Sequence, residues 1–262
     1  MPERRLRYVA LAYLAVLVGL PVGLIFWRTF EHGIGPVIHS LSDSSVLHAF
    51  RVTAIVAFWA VVLNTVFGVG AAILIVRHRF PGRRLLSVLI DLPLAVSPVV
   101  VGLALILVYG RFAPIGGWFS DHGIKIIFAY PGMVLATMFV SLPLVVREVA
   151  PVLEEIGMEQ EQAAWTLGAG RLQTFRRVTL PAIRWALAYG IVLSLARSLG
   201  EYGAVAVVSG RLIGKTQTAT LVVEERFQNF DQGTAYAVSV TLAFVAILIL
   251  IFINVLRSKE HT

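Results

Sequence analysis

The sequence predicts an all-α membrane protein with six transmembrane helices. Of its 262 residues 58% are apolar and only 14% are charged, with a mean hydropathy of +0.82. A soluble domain carries roughly 25% charged residues, so the composition itself points to lipid. Six stretches, at about 8–30, 50–76, 85–110, 128–150, 185–209 and 233–256, reach the roughly 20 apolar residues that cross a hydrocarbon core as a helix. The cations between those stretches are divided unequally, which gives the bundle a direction.

The first stretch follows Arg4, Arg5 and Arg7, as the core of a secretory signal does. Its apolar run exceeds the roughly 7–15 residues of such a core and ends without a small-residue cleavage site, so an uncleaved anchor is expected. Residues 31–49, with Gly33, Gly35 and Pro36, form a loop expected outside the cell, against the membrane surface. After the second span, Arg77 to Arg84 form a tight basic turn around Pro81-Gly82, its arginines facing lipid headgroups.

The third span is interrupted by Pro93 and Pro98, which remove backbone donors and bend or break a helix. Asp91 lies near its cytosolic end, and Ser97 offers a hydroxyl where the ladder is cut. Such a break either lines the transport pathway or is a plain kink. Ser141-Leu142-Pro143 in the fourth span reads the same way. The loop 111–127 places Trp118 at the interface, and within the loop 210–232 a short surface helix is expected over Thr220–Phe230. No repeat of fixed period is present, and residues 1–262 read as a single membrane domain.

Arg4, Arg5, Arg7, Arg77, Arg79, Arg83, Arg84, Arg147, Arg171, Arg176, Arg177, Arg184, Arg257 and Lys259 fall on one side. The other side takes Arg28, Arg51, Arg111, Lys125, Arg211, Lys215 and Arg226. The richer side is expected to be cytoplasmic, with both termini there. The net charge of +7 therefore reflects topology rather than nucleic-acid binding.

Residues 151–184 form the longest cytosolic piece. Glu154, Glu155, Glu159 and Glu161 come early, and Arg171, Arg176, Arg177 and Arg184 late. The pattern predicts a small-residue helix around Gln162, Ala163 and Ala164, a left-handed turn at Gly168 and a second helix from Arg171. Leu172, Phe175, Val178 and Thr179 share one face of the second helix, and Leu180-Pro181 ends it. Ala163 and Ala164 lack bulk, so another surface can come close to this elbow. The alternative is a plain helical hairpin joining two spans.

The elbow resembles the docking loop of ATP-binding-cassette importer permeases, written Glu-Ala-Ala, three residues, Gly, nine residues, Ile-x-Leu-Pro. Gln162 stands in the Glu position and Val178 in the Ile position, with the Gly-to-Leu-Pro spacing intact. Asp91-Leu92-Pro93-Leu94-Ala95-Val96-Ser97-Pro98 and Ala196-Arg197-Ser198-Leu199-Gly200-Glu201-Tyr202-Gly203-Ala204 are similar to the sulfate/molybdate branch of that family. Phe128 to Gly132, Arg147-Glu148 and Val207 to Gly210 narrow the resemblance to permeases of sulfate/thiosulfate importers, over nearly the whole chain. The resemblance implies the type I importer permease fold, with Gln162, Ala163, Ala164, Gly168, Leu172, Leu180 and Pro181 docking an ATPase. It also implies a homodimer of ATP-binding-cassette subunits that holds the ATP and Mg, a second homologous permease and an external sulfate-binding protein. Because Gln162 replaces Glu, an ion pair at that position is not carried over, although Glu161 is adjacent.

Arg197 and Glu201 are placed well inside the fifth span. A charge at mid-bilayer costs roughly 2.5–3.5 kcal/mol on insertion scales, so neither faces lipid. Four residues apart, they can pair on one helix face. They either orient the helix against its neighbours or, with Asp91, Ser97, Pro98 and Ser194, line the pathway or its gate. Gly200, Gly203 and Ala204 allow close helix crossings.

There is no cysteine. His32, His39, His48, His78, His122 and His261 lack metal-ligand spacing, so no metal is assigned. No nucleophile–base pair or phosphate-binding glycine loop occurs, so the chain is read as non-catalytic, with no cofactor of its own. Two rivals remain: a molybdate or tungstate permease, and an ion-coupled secondary transporter needing its own coupling-ion site. An intramembrane hydrolase lacks a catalytic constellation.

Overall fold

A computed structural model describes the backbone of residues 2–258 and the side-chain surroundings of residues 7–251. Arg4, Arg5, Arg257 and Lys259, counted above on the cytoplasmic side, lie outside the residues whose side chains are described. All regular structure among the described residues is helical. The helices are α1 (Pro2–Leu14), α2 (Leu20–Phe30), α3 (Ile34–Leu41), α4 (Ser44–Arg77), α5 (Arg83–Ala95), α6 (Pro98–Tyr109) and α7 (Pro114–Asp121). They continue with α8 (Tyr130–Ile156), α9 (Glu159–Thr166), α10 (Arg171–Thr174), α11 (Leu180–Leu199), α12 (Gly203–Val208), α13 (Ala219–Gln228) and α14 (Gln232–Ser258).

Five continuous stretches are long and apolar enough to cross a membrane: Arg7–Phe30, Ser44–Arg77, Tyr130–Ile156, Arg171–Leu199 and Gln232–Ile251. The expected third span differs. Its halves α5 and α6 meet at a bend of 117° between Ala95 and Pro98. At 1.5 Å per residue each half is only about 18–20 Å long, short of a bilayer core alone. Counting the bent pair as one span gives six. Pro93 lies inside α5 and Pro98 opens α6, so the missing donors fall on both sides of the break.

The fifth span is also displaced. Its helix begins at Arg171 and stops at Leu199, and residues 203–208 form the separate helix α12. Pro181 does not end a helix as expected. A five-residue π-helical stretch, Phe175–Thr179, directly precedes Leu180-Pro181 and joins α10 to α11. The same device recurs at Ala15–Gly19 before Leu20-Pro21. A π-turn is wider than an α-turn, so it accommodates the ring and the absent N–H while the helix continues.

The loop 31–49 is more ordered than expected. It contains α3, and α4 starts at Ser44 because Asp43 accepts the Ser45 backbone N–H at 2.9 Å, an N-cap. That contact, reinforced by Arg226 at 2.9 Å, holds the Asp43 carboxyl below its usual pKa. The helix expected over Thr220–Phe230 is present as α13, but Leu221 and Val222 are buried rather than on the surface.

The core is built around α4 and α8. One apolar cluster joins Val52, Val56, Met133, Val140, Val205 and Leu221. A second, nearer the elbow, joins Val69, Ile75, Val145, Val149, Leu153 and Ile183. Between them lies a buried polar knot. Asn64 Nδ2 donates to Ser141 Oγ at 2.7 Å and to Ser194 Oγ at 3.2 Å, and Ser141 Oγ lies 3.3 Å from Ser198 Oγ. Asn64, Ser141 and Ser194 are fully buried. Ser194 was expected beside the transport route; its hydroxyl instead stitches α11 to α4 within the core. One close crossing is α6 on α12, where a Cβ added to Gly102 would stand 2.8 Å from Val207 Cβ and 2.9 Å from the Ala204 carbonyl oxygen. Of the three small residues expected at crossings, Gly203 and Ala204 serve here, whereas Gly200 meets only ordinary contact with its own helix.

Interhelical hydrogen bonds in membranes contribute about 0.6–2 kcal/mol each. Asn64→Leu, which removes the polar group, is expected to lower the thermal midpoint of the detergent-solubilised protein modestly. Asn64→Asp, which introduces a buried charge, is expected to lower it further. A thermal scan that ranks the two in the opposite order would count against the knot as a neutral hydrogen-bonded lock.

Candidate functional site

Two regions gather the residues singled out in the sequence. The first is the elbow. Gly157, at φ +64°, ends α8, and the eight-residue α9 follows. Gly168, at φ +85°, then reverses the chain, with the Ala169 N–H donating to Ala164 O at 2.9 Å. Only glycine enters that left-handed region without strain. Gln162, Ala163, Gly168 and Pro181 are exposed, and Ala164 and Leu180 half-buried. Leu172, grouped by its spacing with Phe175, Val178 and Thr179 and named for docking, parts from that face and is 63% exposed. Thr174 takes the inward place, with Phe175, Val178 and Thr179. Leu167 is 88% exposed, and Trp165 is also open. Exposed apolar side chains gathered on a small polar elbow are the usual mark of a partner surface.

The inner face of the elbow holds a feature that the sequence left unassigned. Glu161 is only 6% exposed. Its Oε2 lies 3.1 Å from Arg77 Nε, and its Oε1 accepts from Arg77 Nη2 at 3.3 Å and from the Thr179 hydroxyl at 2.8 Å. Arg77 Nη1 also donates to Leu153 O at 2.9 Å. Arg77 was expected to face headgroups; instead it is buried against the elbow. Its partner stands 84 positions later in the chain. The only local hint was an acidic residue beside Gln162.

The second region lies where two interruptions meet. α11 stops before Gly200, and α5 and α6 part before Pro98. A Cβ added to Gly203 would stand 3.0 Å from Pro98 Cβ and 3.5 Å from Val99 N. The two breaks are therefore in contact. Arg197 Nη1 pairs with Glu201 Oε2 at 2.7 Å, so the expected pair forms, but Glu201 sits beyond the helix end rather than within it. Its second oxygen accepts the Ala204 N–H at 2.9 Å, capping α12, and its carbonyl accepts the Thr220 hydroxyl at 2.9 Å. Glu201 is thus a buried hub for three segments, while the Arg197 side chain is 38% exposed. Ser97 precedes α6 and is exposed, but its hydroxyl makes no capping bond. Asp91 pairs with Arg147 of α8 at 2.9 Å on an exposed face.

A carboxylate that both pairs and caps is harder to replace than one that only pairs. Leaving a buried N–H unsatisfied costs about 1–3 kcal/mol. Glu201→Ala is therefore expected to lower the thermal midpoint more than Glu201→Gln, which keeps an acceptor for Ala204. Arg197→Ala, at a half-exposed site, should unfold the protein less than Glu201→Ala. Equal losses in all three would show that the cap has no separate role.

Comparison with known proteins agrees with this geometry. Residues 64–259 match the family described as binding-protein-dependent transport system inner membrane component. The sulfate transport system permease protein CysW of Synechocystis sp. is 47% identical over 251 residues, covering 96% of this chain and 91% of that protein. The CysW protein of Escherichia coli is 45% identical, covering 93% of this chain and 84% of that one. Among solved structures, a bacterial alginate transporter of the ATP-binding-cassette class, in complex with its alginate-loaded periplasmic protein, superposes with a TM-score of 0.78. It covers 98% of this chain and 94% of that chain at 15% identity, a likeness of fold. With the elbow, the broken helices and the six apolar segments in place, the chain belongs to the family of binding-protein-dependent transport system inner membrane components.

Proposed function

We propose that this chain is the transmembrane permease subunit of an ATP-driven sulfate/thiosulfate importer in the cell membrane. The observation that carries the reading is the near-full-length similarity to permeases named for sulfate transport, joined to an open polar elbow that exposes Trp165, Leu167 and Leu172. The chain supplies the path and not the energy. ATP and Mg belong to a homodimer of ATPase subunits docked at Gln162, Ala163, Ala164, Gly168, Leu172, Leu180 and Pro181. A second homologous permease completes the cavity, and an external sulfate-binding protein delivers the anion. The elbow and both termini are cytosolic in this arrangement.

The meeting of the two helix breaks supports the proposed route. Interrupted backbone at membrane depth is tolerated where it is buried in protein or lines a cavity, and broken helices commonly mark transport sites. Ser97, Pro98 and Arg197 are placed along that route. Glu201 holds Arg197 in position and tempers its charge, so an anion binds weakly enough to leave again. Asp91, paired with Arg147, is assigned to the cytosolic side of the gate. Ser194 is set back from direct contact with the anion because its side chain is fully buried beside Asn64.

The complete complex in liposomes, with binding protein and ATP, is expected to accumulate radiolabelled sulfate, with thiosulfate competing. Uptake of molybdate without response to sulfate would replace the substrate, and uptake driven by an ion gradient without ATP would replace the class. Gly168→Val forces a β-branched residue into a left-handed turn at a cost of roughly 1–3 kcal/mol. It should leave insertion intact while detaching the ATPase and abolishing uptake. Because the chain has no native cysteine, single cysteines report sidedness directly. Impermeant thiol reagents should label positions 39, 117 and 229 from outside and spare positions 82 and 170.

A further inference from the structure

The elbow helix α9 is only eight residues long and hangs between Gly157 and the pair Gly168 and Gly170. Glycine joints at both ends give it little covalent stiffness of its own. Packing beneath it is also incomplete. A cavity of about 300 Å³ lies between α9 and the end of α4, lined in part by Arg77, His78, Met158, Glu161, Trp165 and Phe175. A push on the outer face of α9 has room to be absorbed there without moving a transmembrane helix.

One set of contacts bridges that space. Among the described residues, Arg77–Glu161 is the one ion pair in which both side chains are less than a tenth exposed. Through it, α9 is tied to α4 by Arg77, to α8 by the Leu153 carbonyl and to the π-turn leading into α11 by Thr179. Charge-assisted hydrogen bonds are short and directional, and low dielectric strengthens them. Four segments thereby converge on one carboxylate–guanidinium pair.

We propose that Arg77 and Glu161 form a strut that delivers movement of the docked elbow to α4, α8 and α11. They are positioning residues for energy coupling, in contact with neither ATP nor the transported anion. The proposal rests on α9 being the ATPase-docking helix. It assigns the inner face of that helix a task separate from docking, which belongs to the outer face.

Losing one partner would strand a buried charge, whereas replacing both with apolar side chains of similar length is often tolerated. The test therefore uses the double variant Arg77→Met/Glu161→Met in the complete complex, reconstituted in liposomes. Three quantities are measured: ATPase retained on purification, ATP hydrolysed, and sulfate moved per ATP. The double variant should retain the ATPase and hydrolyse ATP, while sulfate moved per ATP falls about tenfold, within the range of coupling between distant sites. Transport per ATP equal to the parent's would overturn the strut, as would a loss that merely tracks loss of bound ATPase. A second variant guards against failure to fold. Arg77→Cys/Glu161→Cys, in an otherwise cysteine-free complex, is joined by a short bifunctional thiol reagent entering through the cavity. Complete cross-linking should restore transport per ATP, and no recovery would also sink the proposal. The parent complex is assayed first, so failure to move sulfate or to hold the ATPase there counts against the function proposed above, separately from the strut.

Discussion

A backbone amide or carbonyl left bare in hydrocarbon costs several kcal/mol, and this chain interrupts its helices repeatedly within an apolar bundle. Each interruption is therefore closed locally. At Leu20-Pro21 and Leu180-Pro181 a π-turn takes up the proline and the helix runs on. At the end of α11 the helix does stop, and the Glu201 carboxylate restarts the chain by accepting the Ala204 N–H. At Ala95–Pro98 the chain bends by 117°, with the Val96 N–H donating to Leu92 O and the Val101 N–H to Ser97 O, both at 3.1 Å. The shape of the bundle follows from how those backbone groups are satisfied.

Charge is handled by the same rule. Glu201 and Glu161 are the two buried carboxylates among the described residues, and each engages an arginine together with a backbone or hydroxyl donor. A buried ion pair contributes little net stability over an apolar pair of the same shape. What it does supply is geometry: a fixed direction between segments that apolar packing would leave free to slide. Glu201 fixes where α12 begins relative to α11. Glu161 fixes where α9 sits relative to three longer helices. The flexible glycine joints around α9 make that second constraint consequential, since the backbone would not impose it.

The periphery contrasts with this core. The span Arg7–Phe30 is apolar on all sides and almost unburied, whereas half of the most apolar window of Tyr130–Ile156 is covered by protein. A helix apolar all round is at home in lipid. α8 therefore carries the load of the bundle. Its Ser141 joins the polar knot, its Val145 and Val149 the lower core, and its Leu153 carbonyl the elbow. It connects the region of the breaks to the elbow along one continuous helix.

Much of the architecture was legible in the sequence because it depends on properties that neighbours in the chain share. Runs of apolar residues marked the spans, Gly168 marked the left-handed turn, and the i, i+4 spacing of Arg197 and Glu201 was enough for them to pair. Tertiary structure decided what depends on distance along the chain. Arg77 looked like a headgroup anchor until Glu161 was brought to it, and nothing near Ser194 in the chain told that it would be buried beside Asn64. Leu172 shares its spacing with Phe175, Val178 and Thr179, but α10 turns it outward while Thr179 is buried. Proline reads as a breaker in any sequence, yet Pro181 is absorbed and Pro98 is not. A proline specifies only the donor it removes; whether the helix widens, bends or stops depends on the segments that satisfy the groups left free.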